Sequence, residues 1–131
     1  MAEAHAKVFE YSVELTADGE LSIPGGDPLQ PAEGWSADHL LLAALVRCSI
    51  DSLAYHARRA GSTARASGSA SGRVTKRGSD GRYAFVEIDC RIDAAFEPPV
   101  ADASELVAKA ERDCFVGASL TVKPTYEWRL G

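Results

Sequence analysis

The sequence predicts an α+β fold in the order β-β-α-β-β-α-β, and three stretches carry that expectation. "YAFVEIDCRIDAAF", residues 83–96, alternates apolar and polar side chains with a period of two, the pattern of a strand buried on one face. "SADHLLLAALVRCSIDSLAYHARRAG", residues 36–61, sets an apolar segment of helical length between a capping serine and a glycine. "VFEYSVELTADGELSI", residues 8–23, places Asp-Gly between alternating apolar residues, a strong hairpin signal. At 131 residues the chain is the size of one domain, 1–131, and can build a core without metal or disulfide staples.

Residues 8–23 read as two short strands around Ala17-Asp18-Gly19. The next stretch, "PGGDPLQPAEGW", residues 24–35, collects three prolines and three glycines and reads as a long loop. Ser36 is then the N-cap of a helix from Ala37 to Ala60; Asp38 suits the positive end of its dipole, and Gly61 offers a left-handed C-cap after Arg58 and Arg59. Leu40 to Val46 is apolar on every side, which predicts enclosure. The second half is amphipathic, with Asp51, His56, Arg58 and Arg59 available to water, and Cys48 lies at the crossover.

Residues 62–82 are rich in Ser, Ala and Gly, yet alternation running into "GRVTK" favours a strand over a linker, with a turn at Arg77 to Arg82. In the following strand Ala84, Val86, Ile88, Cys90, Ile92 and Ala94 share one face, and Glu87, Asp89, Arg91 and Asp93 the other. Pro98 and Pro99 end it. A second helix starts at Asp102 with Glu105 three residues on, carries Leu106, Val107, Ala110 and Cys114 on one stripe, and ends at Gly117. "SLTVKPTYEWRL", residues 119–130, closes the chain as a strand with Pro124 at an edge or bend.

With 14 basic and 19 acidic residues the formal charge is −5, which gives no pull toward nucleic acid or anionic lipid. The opening "MAEAHAKVFEYSVEL" has no basic segment followed by an apolar one, and no uninterrupted run reaches membrane-spanning length. A cytoplasmic protein with no nucleic-acid or membrane partner is the expectation. Cys48, Cys90 and Cys114 are too scattered for a disulfide framework or a CxxC pair, and His5, His39 and His56 add no metal-ligand spacing.

Cys90 falls in phase with the core face of its strand and reads as a small hydrophobe. Cys48 is open to two readings. Beside Arg47 and near Asp51, Ser52 and His56 it can be a reactive thiolate. An alanine-rich helix also uses cysteine as filler, and Arg47 with Asp51 can be a solvated i,i+4 ion pair. Cys114 sits on an apolar stripe near the negative end of its helix, which suits a partner thiol better than a primary nucleophile. Two thiols in unequal settings suit a cycle in which one becomes a sulfenic acid and the other condenses with it. His39 and His56 can be proton shuttles or packed helix residues, and Trp35 and Trp128 read as packing.

The segments 36–61 and "ELVAKAERDCFVGASLTVKPTYEW", residues 105–128, together resemble the OsmC/Ohr family of thiol-dependent peroxidases. There an Asn-Pro-Glu-x-Leu-type helix start precedes the first cysteine by ten residues, and a second cysteine follows on a later helix before a final strand. The resemblance spans essentially the whole chain. It implies an intertwined homodimer with sheets wrapped around central helices, Cys48 as peroxidatic and Cys114 as resolving cysteine. It further implies organic hydroperoxide substrates, with hydrogen peroxide reduced less well, a dithiol reductant such as a lipoyl protein, and no bound cofactor.

The family's acid works with an arginine from the N-terminal β region. Here residues 1–35 contain no arginine, the acid position is Asp38 rather than Glu, and Ala37 stands where the proline is expected. Asp38 reads either as a catalytic acid or as an ordinary helix-start charge, and Arg47 or Arg112 as the substitute cation. Two other classes of function stay open beside the enzyme: a non-peroxidatic member binding an apolar small molecule at the dimer interface, and a structural or interaction protein with unreactive thiols.

Overall fold

The computed structural model describes residues 6–131, so His5 lies outside it. The chain forms two compact units that divide after Trp35. In the first, β1 (Glu14–Leu15) and β2 (Leu21–Ser22) pair antiparallel, with Leu15 opposite Leu21. Gly19 takes the turn at φ +87°, a left-handed conformation that an Asp-Gly hairpin requires. The strands are shorter than the expected runs. The far edge of β2 is occupied by the loop, where Leu21 and Leu29 exchange backbone hydrogen bonds at 2.8 and 2.7 Å.

The second unit holds α1 (Ala37–Arg59), β3 (Thr63–Lys76), β4 (Tyr83–Glu97), α2 (Ala103–Arg112), α3 (Phe115–Ser119) and β5 (Thr125–Leu130). Ser36 caps α1 as expected: its Oγ accepts the His39 N–H at 3.3 Å, and His39 Nδ1 accepts the Ser36 N–H at 3.3 Å. A histidine thus completes the reciprocal cap usually made by glutamate. Beyond Ala60 the chain leaves the helix through Gly61 at φ +79°.

α1 buries Leu45, Ser49, Leu53 and Ala57, one residue per turn along a single stripe. The expected enclosure of Leu40 to Val46 is not made within the chain. Ala43 and Ala44 are exposed, and Leu40, Leu41, Leu42 and Val46 are only half covered. Among the described residues α1 is the one helix long and apolar enough to cross a membrane, with mean hydropathy 1.3 over an 18-residue window. Its buried stripe packs it as the core helix of an α+β fold.

The sheet runs β3-β4-β5, antiparallel between the first pair and parallel between the second. Ile88, Cys90, Ile92, Ala94 and Phe96 of β4 are buried while Glu87, Asp89, Arg91 and Asp93 are exposed, as the alternation predicts. That phase does not extend back to Ala84 and Val86. A bulge between Arg73 and Val74 pairs Val74 with Phe85, leaving Val86 without a partner, and Phe85 becomes the residue packed on the core. Gly68 of β3 permits close packing of α1, because a Cβ there would lie 3.1 Å from a Val46 methyl and 2.8 Å from the Arg91 carbonyl oxygen.

The expected second helix is broken in two. α2 ends at its C-cap Asp113, Cys114 takes an extended conformation (φ −74°, ψ 110°), and α3 restarts at Phe115. Cys114 is therefore the N-cap of a new turn rather than the negative end of a longer helix, and Gly117 lies inside α3. The closing strand is also shorter than 119–130: Ser119 belongs to α3, and pairing starts only after Pro124, whose nitrogen has no proton to donate.

Candidate active site

The two segments that carry Cys48 and Cys114 meet over the sheet. Cys48 is half-buried on α1, and its Sγ accepts the Val116 N–H at 3.5 Å. The Phe115 backbone and the Cys114 side chain are also near enough to hydrogen-bond it. Cys114 is 0 % exposed. Its Sγ accepts the Gly117 N–H at 3.4 Å and lies 3.5 Å from Ser49 Oγ, which is 3.0 Å from the Tyr126 hydroxyl. Cys90, buried on β4, also hydrogen-bonds Ser49. Three reduced thiols and two hydroxyls thus form one buried polar cluster among Leu45, Ile88 and Ile92.

Burial raises the Cys48 thiol above its ordinary value; the Val116 N–H opposes that shift and Cys114 adds to it. Burial pushes the Cys90 thiol up to about 11, aided by Cys114 and opposed by Ser49. Tyr126 is likewise raised by burial, which keeps its hydroxyl a proton donor.

Asp38 lies exposed in the first turn of α1, and ten residues of straight helix put it about 15 Å along the axis from Cys48. Arg47 pairs with Asp51 at 3.4 Å, the two side chains 83 % and 64 % exposed. Arg112 grips Asp113 through two bonds of 2.9 Å. His56, its side chain 10 % exposed, makes a 2.8 Å bond to the same carboxylate. Arg112, with His56 adding to it, holds Asp113 down at about 2. This cluster ties α1 to the α2–α3 junction, one residue from Cys114.

The structure brings Cys48 and Cys114 together and leaves Asp38 and Arg47 outside the groups that shape the Cys48 thiol. Ser49 and Tyr126 escaped the sequence reading. The signal for Ser49 was its place four residues from both Leu45 and Leu53, a hydroxyl on a stripe that must be buried. Tyr126 alternates with Trp128, on which it stacks at 5.6 Å, while Trp128 Nε1 donates to Glu111 at 2.8 Å.

Residues 30–129 match the OsmC-like protein family. No curated protein matches the sequence significantly. Among solved structures, an OsmC-like protein of unknown function from Vibrio cholerae superposes with a TM-score of 0.79 at 14% identity, covering 92% of this chain and 99% of that one. An OsmC-like protein from Mycoplasma pneumoniae gives 0.72 at 16% identity, covering 96% and 99%. An organic hydroperoxide resistance protein from Elizabethkingia anophelis gives 0.64 at 13% identity, covering 97% and 100%.

Proposed function

Because the chain belongs to the OsmC-like protein family, we propose that it is a thiol-dependent peroxidase that reduces organic hydroperoxides, and hydrogen peroxide less well, in a single domain spanning 1–131. The observation that carries this reading is the meeting of Cys48 on α1 with Cys114 at the α2–α3 junction, two reduced thiols within hydrogen-bond reach of each other. The Cys48 thiolate attacks the outer peroxide oxygen, giving Cys48 sulfenic acid and, after protonation, the alcohol. Cys114 then attacks the Cys48 sulfur, water leaves, and a disulfide remains. A dithiol, such as a lipoyl group, returns both thiols by exchange and leaves as its own disulfide.

Burial works against the first step, since it favours the neutral thiol. In the proposed mechanism Arg47 exchanges Asp51 for the Cys48 thiolate, with Asp38 orienting the guanidinium, when a homodimer brings two copies of α1 together. An exposed i,i+4 pair contributes only about 0.3–0.5 kcal/mol, so Arg47 loses little by leaving Asp51. The homodimer is supported by apolar surface left open: Ala43 and Ala44 on α1, and Val8, Tyr11, Val13 and Leu15 in the first unit.

The test is steady consumption of cumene hydroperoxide with dihydrolipoamide as reductant. The expected result is turnover with the dithiol that vanishes in Cys48→Ser and falls about tenfold in Arg47→Ala at neutral pH. Turnover that survives Cys48→Ser contradicts the proposal. The raised Cys48 thiol favours one alternative, a family member that binds an apolar molecule at the same interface without peroxidase chemistry. It predicts ligand binding unchanged by Cys48→Ser.

A further inference from the structure

The buried hydroxyls beside Cys114 have no part in the scheme above, and their geometry points to one. We infer that Ser49 is a catalytic residue of the disulfide-forming step, donating a hydrogen bond from its hydroxyl to the attacking Cys114 sulfur while keeping its proton, and that Tyr126 is the positioning residue that sets the direction of that donation. This deepens the peroxidase reading and takes its biological meaning from it.

Ser49 is fully buried, and a serine hydroxyl has one proton to give and two lone pairs to offer. Tyr126, whose hydroxyl lies 3.0 Å away, is assigned as the donor to one of those lone pairs. Cys90 and Cys114 then compete for the one Ser49 proton, and in the proposed step it turns to Cys114 Sγ, 3.5 Å away, where the Gly117 N–H arrives as a second donor at 3.4 Å. Two donor groups thus converge on one sulfur from α1 and from α3. Gly117 leaves room for the Tyr126 hydroxyl, which a Cβ there would approach to 3.3 Å. The other titratable groups around Cys114 are Cys48 on α1 and Cys90 on β4, both raised thiols that hold no compensating positive charge.

The resolving step can be run without any peroxide. Cys48 is converted to its mixed disulfide with nitrothiobenzoate; attack by the Cys114 thiolate forms the Cys48–Cys114 disulfide and expels the coloured thiolate. The release rate is followed against pH, and peptide mapping identifies the bond formed. Losing one charge-assisted hydrogen bond in Ser49→Ala moves the pH midpoint of release up by about one to two pH units. Thiol nucleophilicity rises with basicity at a Brønsted slope of about 0.4–0.5, so release slows about three- to tenfold at neutral pH yet becomes about three- to tenfold faster on the alkaline plateau.

That crossing of the two profiles is the expected result. Tyr126→Phe, which keeps the ring stacked on Trp128, shifts the midpoint in the same direction by less. A Ser49→Ala protein that releases at the wild-type rate throughout, or is uniformly slower at every pH, overturns the assignment, because a merely structural role moves no midpoint. So does release that persists in Cys114→Ser. Inertness of the wild-type protein toward hydroperoxides sinks the peroxidase reading instead and leaves this assignment standing.

Discussion

The two halves of α1 contrast in a way that hydropathy alone does not anticipate. Leu40 to Val46 is uninterrupted apolar sequence, yet Ala43 and Ala44 are exposed and only Leu45 is fully covered. From Ser49 to Ala57 the composition is mixed, yet Ser49, Leu53 and Ala57 are completely buried against the sheet and α2. The difference teaches that an apolar segment states a need for cover without naming what supplies it. Cys48 sits at the border between the halves, beside both the covered core and the open face.

The sharpest way to break the contrast is to place a charge on the open half. Ala44→Glu puts two carboxylates into the proposed dimer interface, and sedimentation should show dimer association weakened by about a hundredfold or more, with the protomer fold intact. The matching change in the covered half is Leu53→Ala, which leaves a cavity in the main core and should cost about 2–5 kcal/mol in chemical denaturation. If Ala44→Glu unfolds the protomer, or Leu53→Ala costs nothing, the two halves do not differ as described.

Two smaller effects sharpen the picture around the cysteine cluster. Cys90 holds its proton up to about 11 in the folded chain and to about 9.0 when unfolded. Between those values the unfolded chain has already released the proton that the folded chain keeps, so stability falls as pH rises through the window. Cys90→Ala should flatten that alkaline limb. At the acid end, Asp113 is held at about 2 against an ordinary 3.8. Its contribution is fully present above about 4 and is lost as pH falls toward about 2, and Asp113→Asn should flatten the acid limb of the thermal-unfolding profile by a lesser amount.

Much of this was legible in the sequence because it rests on local chemistry. Ser36, Asp-Gly and Gly61 mark caps and turns through their own backbone preferences, and the alternation from Glu87 to Ala94 needs only a sheet with one buried face. What stayed hidden depends on tertiary contact. The bulge at Arg73/Val74 depends on the partner strand, and the break at Asp113 follows where Arg112 and His56 converge on one carboxylate. The role of Ser49 depends on burial of the stripe it shares with Leu45 and Leu53, which the sheet supplies. The meeting of Cys48 with Cys114 spans sixty-six residues of sequence, a distance across which no periodicity operates.

The central claim is that these two thiols act as one redox pair. Its most direct test is to add one equivalent of cumene hydroperoxide to the fully reduced protein and map the products. The account predicts a single intramolecular Cys48–Cys114 disulfide, with Cys90 left as a thiol and no disulfide in Cys48→Ser. Both thiols remaining free, or a Cys90 disulfide in place of the predicted one, would contradict it.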